Sequence, residues 1–220
     1  MPSSPTGNSA CAFSVRSSWP GGSWLALGVK VMLITSVGNN ATVVDPIEVQ
    51  FHLAHDCVRA CVYVEHIASV SSPCNAWVSI LDMCYSEAII SWNQIFGTDS
   101  QSAHWKKLSE ALPIPANAKL KPFGKAMVIG DLNITKDQWS KYHKDMVTFR
   151  NNRLAHFDYC IRHENPPNLT WALQSACLYR EWLLDLLSAY QAEGHEVGIS
   201  KTTGEQMLQV FRSDIATICR

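Results

Sequence analysis

The chain has 220 residues, of which 47% are hydrophobic and 17% are charged, and its formal net charge is −1. This composition supplies enough apolar surface for one hydrophobic core and argues against wholesale disorder. A charge so close to neutral gives no chain-wide basic field for nucleic acid, so any RNA contact must come from a local patch. The eight cysteines form no C-x-x-C pair, which is typical of reduced thiols. We therefore predict a soluble, cytoplasmic protein.

Residues 1–44 are rich in Ser, Gly, Pro and Asn and show no sustained periodicity. This composition predicts a poorly ordered leader, followed by a helical domain over residues 45–220. An apolar run between Ser23 and Gly38 resembles a weak signal peptide, but Lys30 interrupts it and it is too short to span a bilayer. We therefore expect no membrane association.

Apolar residues recur at helical spacing from Pro46 onward. The predicted helices of this part run from Pro46 to about Pro73, from Asn75 to a stop at Gly97, and around residues 102–112. A long connection over residues 113–134 follows. Within it we predict a short strand at Met127-Val128-Ile129, because two of these residues are β-branched.

The next helix has a strong start signal. Thr135 is followed three residues later by Gln138, which is the pattern of a capping box, and Asp137 suits the positive end of a helix. We predict one helix from here through Phe157, ending before Pro166.

Two more helices are predicted near the end of the sequence. The first is capped by Asn168 or Thr170 and closed by Gly194, and the second is opened by Thr203 with Gln206. The predicted elements together make an all-α, antiparallel helical bundle.

The helix that continues to Phe157 carries two arginines on its apolar face. On a wheel of about 100° per residue, a buried stripe lies within roughly 60° of Trp139 and contains Met146, Leu154, Phe157 and Ile161. Arg150 falls at roughly 20° and Arg153 at roughly 320°. Because arginine cannot lose its charge to escape burial, it must meet a carboxylate, a phosphate or a water-filled cleft.

His156 lies at the edge of the same stripe, within a turn of Asn152 and Arg153. Neighbouring positive charge favours the neutral imidazole, which can accept a proton as a general base. The planar guanidinium of Arg150 suits an anionic transition state. The combination fits RNA cleavage by attack of the ribose 2′-hydroxyl, which needs no metal, so we predict neither a metal site nor a cofactor.

These residues resemble a known family. The string Arg150-Asn151-Asn152-Arg153-Leu154-Ala155-His156-Phe157-Asp158 resembles the R-N-x-x-x-A-H-x-D form of the signature of HEPN domains, which are helical nucleotide-binding domains of prokaryotes and higher eukaryotes. The stretch Trp92-Asn93-Gln94-Ile95-Phe96-Gly97, followed by His104-Trp105-Lys106, resembles the abortive-infection branch of that superfamily. The resemblance covers roughly residues 46–193 in the order of elements.

The resemblance implies a metal-independent endoribonuclease that acts as a toxin or phage-defence effector. Arg150 and His156 would be its catalytic residues, and the residues that bind RNA phosphate or orient that pair would be Asn151, Asn152, Arg153 and Asp158. A protein partner, either an antitoxin or a nucleotidyltransferase, is also implied. Some family members have a Tyr that such a partner modifies, and Asp158 replaces it here.

The family also implies a homodimer in which two Arg…His motifs face one composite cleft. Helix geometry supports this expectation, because Arg150 and His156 in one regular helix are about 9 Å apart along the axis and roughly 120° apart around it. One phosphate is awkward for both side chains in that arrangement. A partner chain, or an irregular turn near Arg150, relieves the problem.

Two alternatives stay open at this point. Arg150 could form a structural ion pair with an acidic residue of a neighbouring helix, such as Glu87 or Asp185. The whole chain could then be a non-catalytic helical module that binds a nucleotide or a protein partner.

Other cysteines and histidines are given structural interpretations. Cys57 and Cys61 could share a helix face beside three histidines, but Cys57 fits the core stripe and no further pair completes four metal ligands. His104 and His143 are interpreted as surface or core-edge residues.

Overall fold

The computed structural model describes residues 44–69, 74–116, 118–155, 166–199 and 202–218. Throughout these ranges the regular elements are helical, which confirms the all-α prediction. They are α1 (Asp45–Ala68), α2 (Asn75–Phe96), α3 (Trp105–Ala111), α4 (Lys125–Asp131), α5 (Lys136–Phe149), a π-helical segment (Arg150–Ala155), α6 (Thr170–Ala192) and α7 (Gly204–Ile218). None of the helices in these ranges combines the length and apolar character that a bilayer span requires. Of the predicted leader, only Val44 lies within the described residues, and it is buried.

Helix α1 is the element around which the others pack, because α2, α6 and α7 all contact it. Its sequence allows this, since apolar residues occur on more than one face. The buried ones are Ile47, Phe51, Ala54, Cys57, Val58, Ala60, Cys61, Val62 and Ile67. Burying each large aliphatic or aromatic side chain contributes about 1.5–3 kcal/mol relative to exposure. The packing of this helix therefore supplies much of the driving force for folding.

Local signals set several helix ends as predicted. The capping box at the start of α5 is present, with Gln138 N donating to Thr135 Oγ1 at 3.1 Å and Thr135 N donating to Gln138 Oε1 at 2.8 Å. The same reciprocal pattern joins Thr203 and Gln206 before α7. Gly194 follows α6 with a φ of 95°, a conformation that favours glycine.

The predicted strand at Met127-Val128-Ile129 is wrong, because these residues lie within α4. Val128 is buried in the core, and its two neighbours are only partly buried against it. A strand needs a partner to receive its backbone hydrogen bonds. The described residues offer no such strand, so the segment satisfies its backbone within a helix instead.

Trp92 joins three of the helices at the centre of the core. It is fully buried in α2, and its ring contacts Trp139, Tyr142 and His143 of α5 at centroid distances of 5.6–5.9 Å. Its Nε1 donates to Ser175 Oγ of α6 at 3.0 Å. This hydrogen bond satisfies the one polar atom of the indole, as a buried tryptophan requires.

We predict that Ser175→Ala lowers the free energy of unfolding by about 1–3 kcal/mol, because Trp92 Nε1 loses its buried acceptor. Urea denaturation measures the change. The matched control is Ser188→Ala in the same helix, whose hydroxyl donates to the Leu184 carbonyl at 2.7 Å. That control should change stability by no more than about 0.5 kcal/mol. Equal stabilities for the two variants would contradict the role given to Ser175.

Candidate functional site

The helix that carries the predicted motif changes its geometry at Arg150. Helix α5 ends at Phe149, and residues Arg150–Ala155 continue as a π-helix, in which hydrogen bonds join residues i and i+5. The prediction of one regular α-helix is therefore wrong over these residues, and the angular positions assigned to Arg153 and Leu154 do not hold. Single π-helical turns of this kind occur frequently at functional sites.

Arg150 lies at the start of this irregular turn and is half-buried. Its backbone N–H donates to the carbonyls of Met146 and Val147. Its Nε is buried without a hydrogen-bond partner among the described residues. It forms no ion pair with Glu87 or Asp185, both of which are described, so these two pairings are wrong.

Gln101, in the loop between α2 and α3, contacts the Arg150 guanidinium. Its amide satisfies all of its neighbours in one orientation, in which Oε1 accepts from Arg150 Nη1 at 2.7 Å. Nε2 then donates to the Gln94 carbonyl at 3.3 Å and to the Asn93 carbonyl. The reverse orientation would place the amide nitrogen against the guanidinium and the oxygen against two carbonyls. Arg150 is therefore held by a neutral group.

Asn93 ties the end of α2 to the end of α5. Its side chain is fully buried, and Nδ2 donates to the Ile89 carbonyl at 2.9 Å and to the Met146 carbonyl at 3.3 Å. Met146 O thus accepts from both Asn93 Nδ2 and the backbone N–H of Arg150. This shared carbonyl fixes the position of α2 relative to the residue at which the π-helix begins.

His143 makes a second link between the same two helices. Its Nε2 lies 2.8 Å from the Phe96 carbonyl oxygen and 3.0 Å from that of Gly97. Because carbonyl oxygens only accept hydrogen bonds, Nε2 must carry the proton. Gly97 approaches Asn93 closely, so that an added Cβ would overlap the Asn93 carbonyl oxygen. This close approach explains why glycine ends α2.

His104 is buried, contrary to its interpretation as a surface or core-edge residue, and it caps α3. Its Nδ1 accepts from Lys106 N at 3.3 Å, and its Nε2 lies 3.4 Å from Asp99 Oδ1. Burial lowers the pKa of His104, and the nearby Asp99 carboxylate opposes that shift. The imidazole therefore acts as a neutral cap that holds the loop containing Gln101.

Of the other predicted site residues, three lie within the described ranges and two lie outside them. Asn151, Asn152 and Arg153 are half-buried in the π-helical segment, and their side chains form no hydrogen bond or ion pair with other described residues. His156 and Asp158 lie outside the described residues. The structure therefore places four of the six predicted residues on one irregular turn, and the pairing of Arg150 with His156 stays a prediction.

Two tyrosines, Tyr85 of α2 and Tyr142 of α5, contact described residues that lie before and after positions 156–165. Tyr85 packs edge-on against Phe149 at a centroid distance of 5.8 Å, and its hydroxyl donates to the Pro167 carbonyl. The hydroxyl of Tyr142 donates to the Asn168 carbonyl at 3.0 Å. Burial raises the pKa values of both tyrosines, so both hydroxyls keep the protons that they donate.

A cavity and the metal-ligating side chains are the other features that could form a site. A cavity of about 300 Å³ is lined by residues of α1, α2 and α6, with Cys61, Glu65 and Thr170 in its wall. None of residues 150–153 lines it. Within the described ranges no group of three His, Cys, Asp or Glu side chains could hold a metal ion, and Cys57 is a buried free thiol.

No protein-family model, curated protein or solved structure matches the chain. The resemblance to HEPN domains therefore rests on the two quoted sequence strings, and it stays a prediction.

We predict that Asn93→Asp destabilises the protein by about 3 kcal/mol, because a carboxylate cannot donate to the Ile89 and Met146 carbonyls and is repelled by them. The two side chains have almost the same shape, so packing is preserved. Asn75→Asp is the matched control, since it places the same change at the exposed first residue of α2. A helix N-terminus tolerates negative charge, and stability there should stay within about 0.5 kcal/mol or rise slightly. Both changes are measured by urea denaturation, and an unaltered midpoint for Asn93→Asp would refute the proposed link.

Proposed function

We propose that the chain is a metal-independent endoribonuclease of the HEPN type. The observation that carries the proposal is the state of Arg150, a half-buried cation that contacts a neutral amide and has no carboxylate partner among the described residues. Because a guanidinium keeps its charge at any physiological pH, a cation held in this way is suited to an anionic ligand. A phosphodiester fits the planar donor groups of arginine.

In the proposed reaction His156 accepts the proton of a ribose 2′-hydroxyl. The resulting oxygen attacks the adjacent phosphorus, the bond to the 5′-oxygen breaks, and that oxygen takes a proton from water as it leaves. His156 returns its own proton to the solvent before the next turnover. Arg150 stabilises the negative charge that develops on the phosphoryl oxygens. The products are a 2′,3′-cyclic phosphate, or its hydrolysis product, and a 5′-hydroxyl. No step requires a metal or another cofactor.

The remaining motif residues have supporting roles in this proposal. Asn151, Asn152 and Arg153 contact RNA phosphate, and Asp158 orients the catalytic histidine. In a cell the enzyme acts as a toxin or phage-defence effector, restrained by an antitoxin or a nucleotidyltransferase partner. A homodimer brings two motifs to one cleft.

We predict that His156→Ala lowers the rate of RNA cleavage by about 10²- to 10⁴-fold, because the general base is lost. Arg150→Lys should also fail, since a point charge cannot reproduce the planar donor fork. Cleavage of labelled RNA in the presence of EDTA provides the measurement, with analysis of the product termini. EDTA itself should have no effect on the parent chain.

The matched controls for these variants are His52→Ala and Arg212→Lys, which make the same changes at exposed positions of α1 and α7. Both should cleave RNA at the parental rate. If the parent cuts no RNA, or if both motif variants cut as well as the parent, the enzyme proposal is wrong. The chain would then be the non-catalytic binding module that the sequence leaves open.

We predict that the chain forms a dimer, with a mass by light scattering twice the 24.5 kDa of one chain. If each site combines Arg150 of one chain with His156 of the other, a mixture of the two inactive variants forms heterodimers with one intact site. Full subunit exchange should restore about a quarter of the parental rate. A strict monomer at micromolar concentration, or no recovery on mixing, would contradict the composite site.

A further inference from the structure

Gln101 connects the Arg150 guanidinium to the end of α2. The same amide accepts from Arg150 Nη1 at 2.7 Å and donates to the carbonyls of Asn93 and Gln94. Each half of the amide is thus used by a different element. The guanidinium is therefore positioned by the backbone of α2 as well as by its own irregular turn.

The loop that carries Gln101 is itself held at several points. Gln101 N donates to the Thr98 carbonyl at 3.0 Å, and His104 N donates to the Gln101 carbonyl at 3.2 Å. The buried His104 side chain caps α3, and Asp99 pairs with Lys106. A side chain on a loop restrained in this way can hold a partner in one place.

The chemistry of an amide matters as much as its reach. A carboxylate at this position would pair with Arg150 and reduce its attraction for another anion. It would also face two carbonyl oxygens to which it cannot donate. Glutamine orients the guanidinium through one oxygen and leaves the positive charge for a ligand.

We propose that Gln101 is a positioning residue for Arg150, which it orients toward the phosphate of RNA. The role in RNA cleavage rests on the proposed function. The orientation of the side chain does not, so the two can be tested separately.

The first arm measures the motion of Arg150 by NMR in the full chain. Its Nε is buried, so the Nε–H signal should exchange slowly with solvent, and its loss in Arg150→Lys assigns it. Gln101→Met keeps the length of the side chain and removes all three hydrogen bonds of the amide. The order parameter of the Arg150 Nε–H should then fall into the flexible range, below about 0.6. Gln101→Ala provides a second variant, and Ser102→Ala, an exposed neighbour, should leave the signal unchanged.

The second arm measures RNA cleavage by the same variants. Loss of orientation should lower kcat on the order of ten- to hundredfold and change KM little, because the charge of Arg150 is kept while its placement is lost. Ser102→Ala should retain the parental kcat. A role confined to stability would instead reduce the fraction of active enzyme, which denaturation and active-site titration detect.

The outcomes separate the two proposals. A more mobile Arg150 in Gln101→Met and Gln101→Ala supports the positioning role, and an Arg150 as rigid as in the parent overturns it. If the parent cuts RNA, an unchanged kcat in both variants also overturns the role. If the parent cuts no RNA, the proposed function fails, and the NMR arm alone decides whether Gln101 orients Arg150.

Discussion

The hydrogen bond from Asn93 to the Met146 carbonyl determines where the helix bearing the motif can lie. Asn93 is fully buried, and one turn before it Ile89 accepts from the same Nδ2 atom, so the amide cannot rotate without losing both acceptors. Met146 O also accepts from the Arg150 backbone, at the residue where the helix changes from α to π. The contacts of His143 with the end of α2 and of Gln101 with Arg150 both depend on this alignment. The Asn93 side chain pays for these two hydrogen bonds with its other polar atom, because Oδ1 is buried and has no hydrogen-bond partner among the described residues.

The sequence predicted the features that depend on neighbouring residues. The capping boxes at Thr135 and Thr203, and the helix stop at Gly97, follow from contacts within a few positions of the chain. The π-helical segment could not be predicted in this way. At its start the Met146 carbonyl accepts from Asn93, a residue of α2 that is distant in sequence, as well as from the Arg150 backbone. A wheel at 3.6 residues per turn assumes the regularity that is lost there. The strand predicted at Met127 failed for a related reason, because a local preference for extended backbone was not matched by a strand to pair with.

The candidate site was predicted in part. The arginine on an apolar face was expected to meet a carboxylate, a phosphate or a water-filled cleft. Among the described residues its guanidinium contacts the neutral amide of Gln101, a loop residue that no spacing rule indicates. His104 was also missed as a buried residue, because a histidine before a short helix gives no sign of its burial. His156 and Asp158 lie outside the described residues, so their side of the site rests on sequence alone.

Two arginines among the described residues, the buried Arg180 and the half-buried Arg150, show how differently a guanidinium can be accommodated. Arg180 donates to Glu181 Oε1 at 2.8 Å and to the Thr202 carbonyl at 2.9 Å, and its guanidinium lies over the Phe51 ring. A carboxylate, a carbonyl and an aromatic face together balance its charge, which is what a structural arginine requires. Arg150 has only the neutral amide of Gln101 among the described residues.

The surroundings of Arg180 also show what a nearby guanidinium does to a histidine. Burial, together with the charges of Arg180 and Arg59, lowers the pKa of His55 to about 4. The imidazole is therefore neutral at physiological pH and could accept a proton if one were offered. If His156 lies within a turn of Arg153, as the sequence predicts, the same repulsion acts on it, and the arginines of the motif would keep the proposed base unprotonated while binding the phosphate. Arg150 and Arg153 would then both bind the phosphate and keep the general base unprotonated.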